Sequence, residues 1–268
     1  MDTTKALFSL TSAESKRLLA KAVAALPEVQ NALKKGTVII GAGTTNAFVL
    51  EEIMGKPVDK ARYTAGVIAG GRQCVTAASE RLAPAVIVDG VLTEQNWEEA
   101  IEKIDGNDVF IKGGNAIDVD GVVGVQMAHE MGGTIGTVLP IMAARGAHLI
   151  MPVGLEKLIP SVEYAANMSG TRAFDMTIGM PVGLMPVNYG TVYTEVTALE
   201  ELAAVEAVCI SAGGIDGSEG SVTMAIEGPA AEVEKIFALI KDIKGEQPLG
   251  SHRQKCSDCS NRCDYPGA

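Results

Sequence analysis

No run of lysine or arginine interrupts this 268-residue chain, in which 22 basic residues face 33 acidic ones for a formal charge of −11. That balance disfavours a nucleic-acid partner or an anionic membrane surface, both of which are held by clustered cations. A basic region followed by an apolar block is missing from Met1-Asp2-Thr3-Thr4-Lys5, so the expectation is a cytoplasmic chain. An uninterrupted apolar run is missing too. The most apolar region, around residues 136 to 158, is broken by Arg145, His148 and Glu156 and by glycines and prolines, and reads as core and not as a membrane span. Cysteine is scarce outside the last thirteen residues, which hold three of the five, so the even spread of a secreted disulfide framework is absent. What is present is 47% hydrophobic residues, 21% charged residues and 30 glycines, enough for a substantial core in one large or two smaller domains.

Thr11-Ser12-Ala13-Glu14 has the spacing of a capping box, and Leu18, Leu19, Ala22, Val23 and Leu26 follow at helical intervals up to Pro27. A second helical piece opens at Pro27 and stops at Lys35-Gly36. Strand-like and helix-like stretches then alternate over 37–40, 46–54, 67–69, 84–88, 96–104, 109–111, 134–145 and 148–152. Such alternation predicts an α/β domain over 1–188, a doubly wound, mostly parallel sheet with helices on both faces. The texture changes near Pro181–Pro186. Strand 191–197, helix 198–204, strands 205–212 and 220–227 and helix 229–243 suggest a small ferredoxin-like α+β layer over 189–244. A polar tail, 245–268, ends the chain.

Three glycine-rich segments carry the candidate chemistry. In Thr37-Val38-Ile39-Ile40-Gly41-Ala42-Gly43-Thr44-Thr45-Asn46 a buried strand turns into a helix. Gly41 and Gly43 permit a tight turn, and Thr44, Thr45 and Asn46 sit where a helix start offers unpaired N–H groups to a phosphate or carboxylate. A second strand, Val109–Ile111, delivers Lys112, Gly113, Gly114, Asn115 and Asp118 at its end, where ligands gather in open α/β sheets. Lys112 supplies a cation, Asn115 a donor and acceptor pair, and Asp118 a candidate base. The third segment, Gly132-Gly133-Thr134-Ile135-Gly136-Thr137, again precedes a helix, with His129 and Glu130 just before it. Arg72 and Arg81, flanking Cys74, are further candidate anion clamps.

With these loops in view, the chain resembles the superfamily that holds type A ribose-5-phosphate isomerases, glucosamine-6-phosphate deaminases, methylthioribose-1-phosphate isomerases and CoA transferases. Residues 36–45, Gly-Thr-Val-Ile-Ile-Gly-Ala-Gly-Thr-Thr, look like the phosphate loop those isomerases write as GxGTGST. Residues 109–118 are similar in placement to their segment DGADEVD, and residues 130–150 to their glycine turn, helix and strand. The resemblance implies an enzyme that holds a small phosphorylated, sugar-like metabolite and moves a proton between adjacent carbons, with no cofactor required, as a homo-oligomer. Lys112 and Asn115 stand where the isomerase segment carries its two catalytic Asp residues, which leaves Asp118, Glu130 or Glu94 for the base. The same departures fit a ligand-binding sensor on this scaffold. CoA-linked acyl transfer through a glutamyl thioester is a weaker alternative.

In the tail, Cys256, Cys259 and Cys263 have a spacing that lets thiolates wrap one metal, and His252 can complete a tetrahedral set. Zinc and an iron–sulfur cluster both remain open, with a reduced, exposed tail as the alternative.

Overall fold

A computed structural model describes residues 3–259 and 261–265. Strand β1 (Thr3–Leu10) is followed by helices α1 (Ser12–Ala25) and α2 (Pro27–Lys34). The capping box forms as expected: Thr11 N donates to Glu14 Oε2 at 2.9 Å, and Glu14 N donates to Thr11 Oγ1 at 3.3 Å. Next come β2 (Thr37–Ile40), α3 (Thr44–Met54), the hairpin β3 (Gly66–Ala69) and β4 (Arg72–Val75), then β5 (Ala85–Val88) and β6 (Val91–Thr93). Helix α4 (Trp97–Ile101), β7 (Val109–Ile111), β8 (Ala116–Ile117), β9 (Val123–Met127), α5 (Gly133–Arg145) and β10 (His148–Pro152) complete the middle of the chain. Then follow α6 (Val162–Asn167), β11 (Gly183–Val187), β12 (Thr191–Tyr193), α7 (Glu195–Leu202), β13 (Glu206–Gly213), β14 (Ser221–Pro229) and α8 (Ala230–Ile243).

The architecture is mixed α/β, built on a six-stranded sheet of order β12-β10-β7-β2-β5-β6. Strands β12, β10, β7 and β2 are parallel, whereas β5 pairs antiparallel with both β2 and β6. The sheet is therefore mixed. A tight Asp89-Gly90 turn returns β5 as β6, and no helix crosses between them. The central strands are apolar throughout because both faces are covered. Val38, Ile40, Val109, Ile111 and Ile150 face a core shared with α1, α2, α3, α7 and α8, while Ile39, Phe110, Leu149 and Met151 face a second core with α4 and α5.

A second, antiparallel sheet of order β1-β14-β13 joins the two ends of the chain. Alternation is clear: Phe8 and Leu10 of β1 and Val222, Met224 and Ile226 of β14 are buried, against Val233, Ile236 and Ile240 of α8. Here the structure departs from the predicted β-α-β-β-α layer. Its first strand stops at Tyr193 and adds to the large sheet beside β10, and β1 takes that strand's place in the small one. The reason is local, since Thr194 N donates to Thr197 Oγ1 at 2.8 Å and starts α7 in the middle of a run of β-favouring residues. A third small sheet, β11-β9-β8, and the β3–β4 hairpin lie beyond the large sheet. Among the described residues no helix is long and apolar enough to cross a membrane.

Candidate anion-binding cavity

Beyond the carboxyl ends of β2, β7 and β10 lies a cavity of about 310 Å³. Gly41 N donates to Ile111 O at 2.9 Å, which ties the end of β2 to β7, and Gly43 N donates to Tyr63 O at 2.8 Å. Helix α3 then begins at Thr44 with no side-chain cap, so its first N–H groups open toward the cavity lined by Gly43, Thr44, Thr45 and Asn46. Helix α5 does the same from the other wall. Its N-cap is Gly132, again without a side-chain cap, and Gly132, Gly133 and Thr134 line the cavity. Gly132 and Gly133 have φ of 84° and 56°, a left-handed backbone that suits glycine and turns the chain sharply into the helix. Two helix N-termini thus present partial positive charge to one space.

The floor is made by the residues that follow β7. A side chain at Gly114 would force its neighbours to shift, because a Cβ there would stand 2.4 Å from Val123 Cγ1. Lys112 Nζ donates to Gly113 O at 3.1 Å, and Lys157 Nζ donates to Gly114 O at 2.9 Å. Two ammonium groups therefore rest on consecutive carbonyls. Burial, and then repulsion from Lys157, pushes Lys112 down to about 8. Burial likewise pushes Lys157 down to about 8, helped by Lys16, while Glu156 and Glu195 act in the opposite sense. Arg81 adds a third cation, its Nε bound to Thr76 O at 2.6 Å, with burial lowering its pKa. No Asp or Glu is among the lining residues. An anion entering here meets no like charge from the wall.

The rest of the lining mixes apolar side chains, among them Val67, Ile68, Val125 and Met127, with His129 and a few neutral polar groups. Asn115 Oδ1 accepts from Gln126 N at 3.0 Å, and Gln126 Oε1 accepts from Gln73 Nε2 at 2.7 Å, which links floor, β9 and the β3–β4 hairpin. Asn46 is fully buried, and its Nδ2 donates to Gly41 O at 2.7 Å and to Ile111 O at 3.3 Å. Its Oδ1 has no partner among the described residues.

The cavity therefore gathers Gly43, Thr44, Thr45, Asn46, Lys112, Gly113, Gly114 and Asn115, with Gly41 just behind as the strand end. It leaves out Asp118, Glu130 and Arg72. Asp118 is buried in the β8–β9 turn, where Oδ1 accepts from Val122 N at 3.0 Å and Oδ2 from Val162 N at 2.9 Å. Glu130 is exposed and takes both arms of Arg172, at 2.9 and 2.6 Å, which lowers its pKa. Glu94 is exposed at the far edge, after β6. Arg72 stacks on Tyr265 at 4.0 Å and reaches Cys256 Sγ at 3.8 Å.

The tail runs along the outside of that hairpin, with Gln254 N donating to Val75 O at 2.9 Å. Cys263 Sγ accepts from Gly179 N at 3.1 Å, Cys259 Sγ lies 3.5 Å from Asn261 Nδ2, and His252 is exposed. Among the described residues no three His, Cys, Asp or Glu side chains are grouped as around one metal ion. Lys157 is the residue that sequence reasoning missed. It follows the parallel strand β10 by five positions, at the same sheet end as Lys112, and that placement is the signal that finds it.

Compared with family models, curated proteins and solved structures, the chain matches none of them.

Proposed function

We propose that this chain binds a small phosphorylated, sugar-like metabolite in the cavity and catalyses proton transfer on it, on a doubly wound scaffold like that of the phosphosugar isomerases. One observation carries the reading: in a chain of net charge −11, a cavity with two helix N-termini, Lys112, Lys157 and Arg81 has no carboxylate in its lining. The phosphate would sit at the α3 or α5 N-terminus and the reacting end over Lys112 and Lys157. A volume of about 310 Å³ suits a metabolite of a few carbons. Asp118 holds a turn and Glu130 an exposed ion pair, which leaves Lys112, Lys157 and His129 in the lining, and the proton mover proposed is a lysine of the floor.

Inorganic phosphate and ribose 5-phosphate should each raise the melting temperature, by several degrees at concentrations a hundredfold above Kd, where linkage gives about 2.7 kcal/mol. Aldose–ketose interconversion followed by NMR should be lost in Lys112→Ala and kept in Asp118→Asn. No shift with either anion sinks the reading. Binding without turnover instead favours a sensor, which the carboxylate-free lining also supports. Acyl transfer through Glu94 or Glu130 finds no support, since both stand away from the cavity.

Two further proposals stand beside it. A homo-oligomer is supported by an exposed apolar row on the small sheet, where Leu7 and Val208 flank Ala225, and sedimentation velocity tests it; a cytoplasmic location rests on the sequence reading alone. Zinc or an iron–sulfur cluster on Cys256, Cys259, Cys263 and His252 rests on their spacing, and metal analysis of anaerobically purified protein tests that.

A further inference from the structure

Two lysines on one cavity floor invite the question of what each does. Neither Lys112 nor Lys157 forms an ion pair among the described residues, and both rest on peptide carbonyls of the same Gly113-Gly114 step. Their surroundings differ. Close to Lys157 stand Glu156, which pairs with Lys16 at 2.7 Å, and fully buried Glu195, whose Oε2 accepts from Leu155 N at 2.8 Å. Glu156 and Glu195 oppose the fall that burial imposes on Lys157, and burial raises the pKa of Glu195 itself. Lys112 has no carboxylate acting on it, and burial and Lys157 lower its pKa to about 8, which brings its nucleophilic, neutral amine within reach near neutral pH. Around them the walls offer hydroxyls and amides from Thr64, Gln73, Asn115 and Gln126, which suit a polyhydroxylated body.

We propose that Lys112 forms a protonated imine with the carbonyl carbon of a small phosphorylated aldehyde or ketone, with Lys157 as the proton donor. This rests on the anion-cavity reading above and names its substrate as a carbonyl compound. The Lys112 Nζ lone pair attacks the carbonyl carbon, and the C=O π pair moves to oxygen, which takes a proton from Lys157. One N–H proton of the amine then leaves with that oxygen as water while the C=N bond forms. Of the three protons involved, two depart in the water and one stays on the imine nitrogen, so the positive charge of Lys157 ends on the imine. That nitrogen withdraws electrons from the neighbouring C–H bond, which a cavity without a carboxylate base would otherwise struggle to ionise.

The test incubates the whole protein with ribose 5-phosphate or dihydroxyacetone phosphate and sodium cyanoborohydride, with intact-mass and peptide mapping. One reduced adduct per chain on Lys112, cut at least tenfold by excess inorganic phosphate, is the expected result. Lys112→Arg, which keeps the charge, should abolish the adduct and keep the phosphate-induced thermal shift, and Lys157→Met should slow its formation about tenfold. Adducts scattered over surface lysines, or none while phosphate still raises the melting temperature, overturn the imine and leave the anion cavity standing. If neither phosphate nor the sugar phosphates bind, the cavity reading fails and the imine with it.

Discussion

Two buried groups of charge lie on this molecule, and they are built in opposite ways. Between α1 and α3, Arg17 is ringed by Glu51, Glu52 at 3.1 Å and Glu246 at 2.7 Å, with Phe48 under its guanidinium at 4.8 Å. Lys60 and Lys21 close the network at 2.8 and 2.9 Å, and the pKa of Arg17 is raised by its partners despite burial. On the cavity floor Lys112 and Lys157 have only carbonyls beneath them, and their pKa values fall. Burying a charge without a counter-charge is costly, and the anion proposed for the cavity would offset that cost at the floor, whereas the Arg17 cluster is neutralised by its own carboxylates.

Removing one member from each tests that contrast most severely. Arg17→Ala, which takes the ion pair from Glu246 and leaves Glu51 and Glu52 with Lys60 and Lys21 alone, should cost about 3 kcal/mol in urea denaturation. Lys112→Met, which relieves an unpaired buried charge, should leave the ligand-free protein as stable or up to about 1 kcal/mol more stable. Equal losses in both would erase the distinction. A smaller effect follows from packing at the floor. Gly114→Ala would push a methyl against Val123 and should cost about 1–3 kcal/mol while weakening phosphate binding more than it changes the Arg17 cluster.

A further contrast lies in pH. Both lysines sit near 8 when folded against an ordinary 10.5, so between these values the unfolded chain holds more protons and the ligand-free protein gains stability as pH rises from 8 to 10.5. Phosphate, which favours the protonated lysines, should flatten that rise, and thermal melts with and without it read the difference.

Much of this was legible in the residues. The alternation after Thr37 marked β2, β7 and β10, and β7 and β10 have the bounds the pattern suggested, because strands buried on both faces are continuously apolar. Two glycine segments marked two helix starts and a third the floor between them. Asp118 was harder to place, since a carboxylate near a glycine loop reads equally as a base or as a turn anchor, and only the geometry of the β8–β9 turn separates the two. Strand β1 escaped notice because its partner is distant: its residues alternate, yet Leu7 on the outer face blurs the pattern and β14 lies more than two hundred residues away. The antiparallel pairing of β5 was hidden for a related reason, as pairing direction lies in connections and not in composition.

That distant pairing sets a clock on the ribosome. Ser9 Oγ meets Thr223 Oγ1 at 2.8 Å across 214 positions of chain. At roughly 5–20 residues per second, β1 emerges some 10–40 s before the strand that completes its ladder. During that interval its backbone edge and the side chains of Phe8 and Leu10 have no sheet to join, while the cavity-bearing strands that follow can already pair among themselves. The small sheet therefore closes after the large one, and nascent chains stalled before residue 221 should be the ones that chaperones hold.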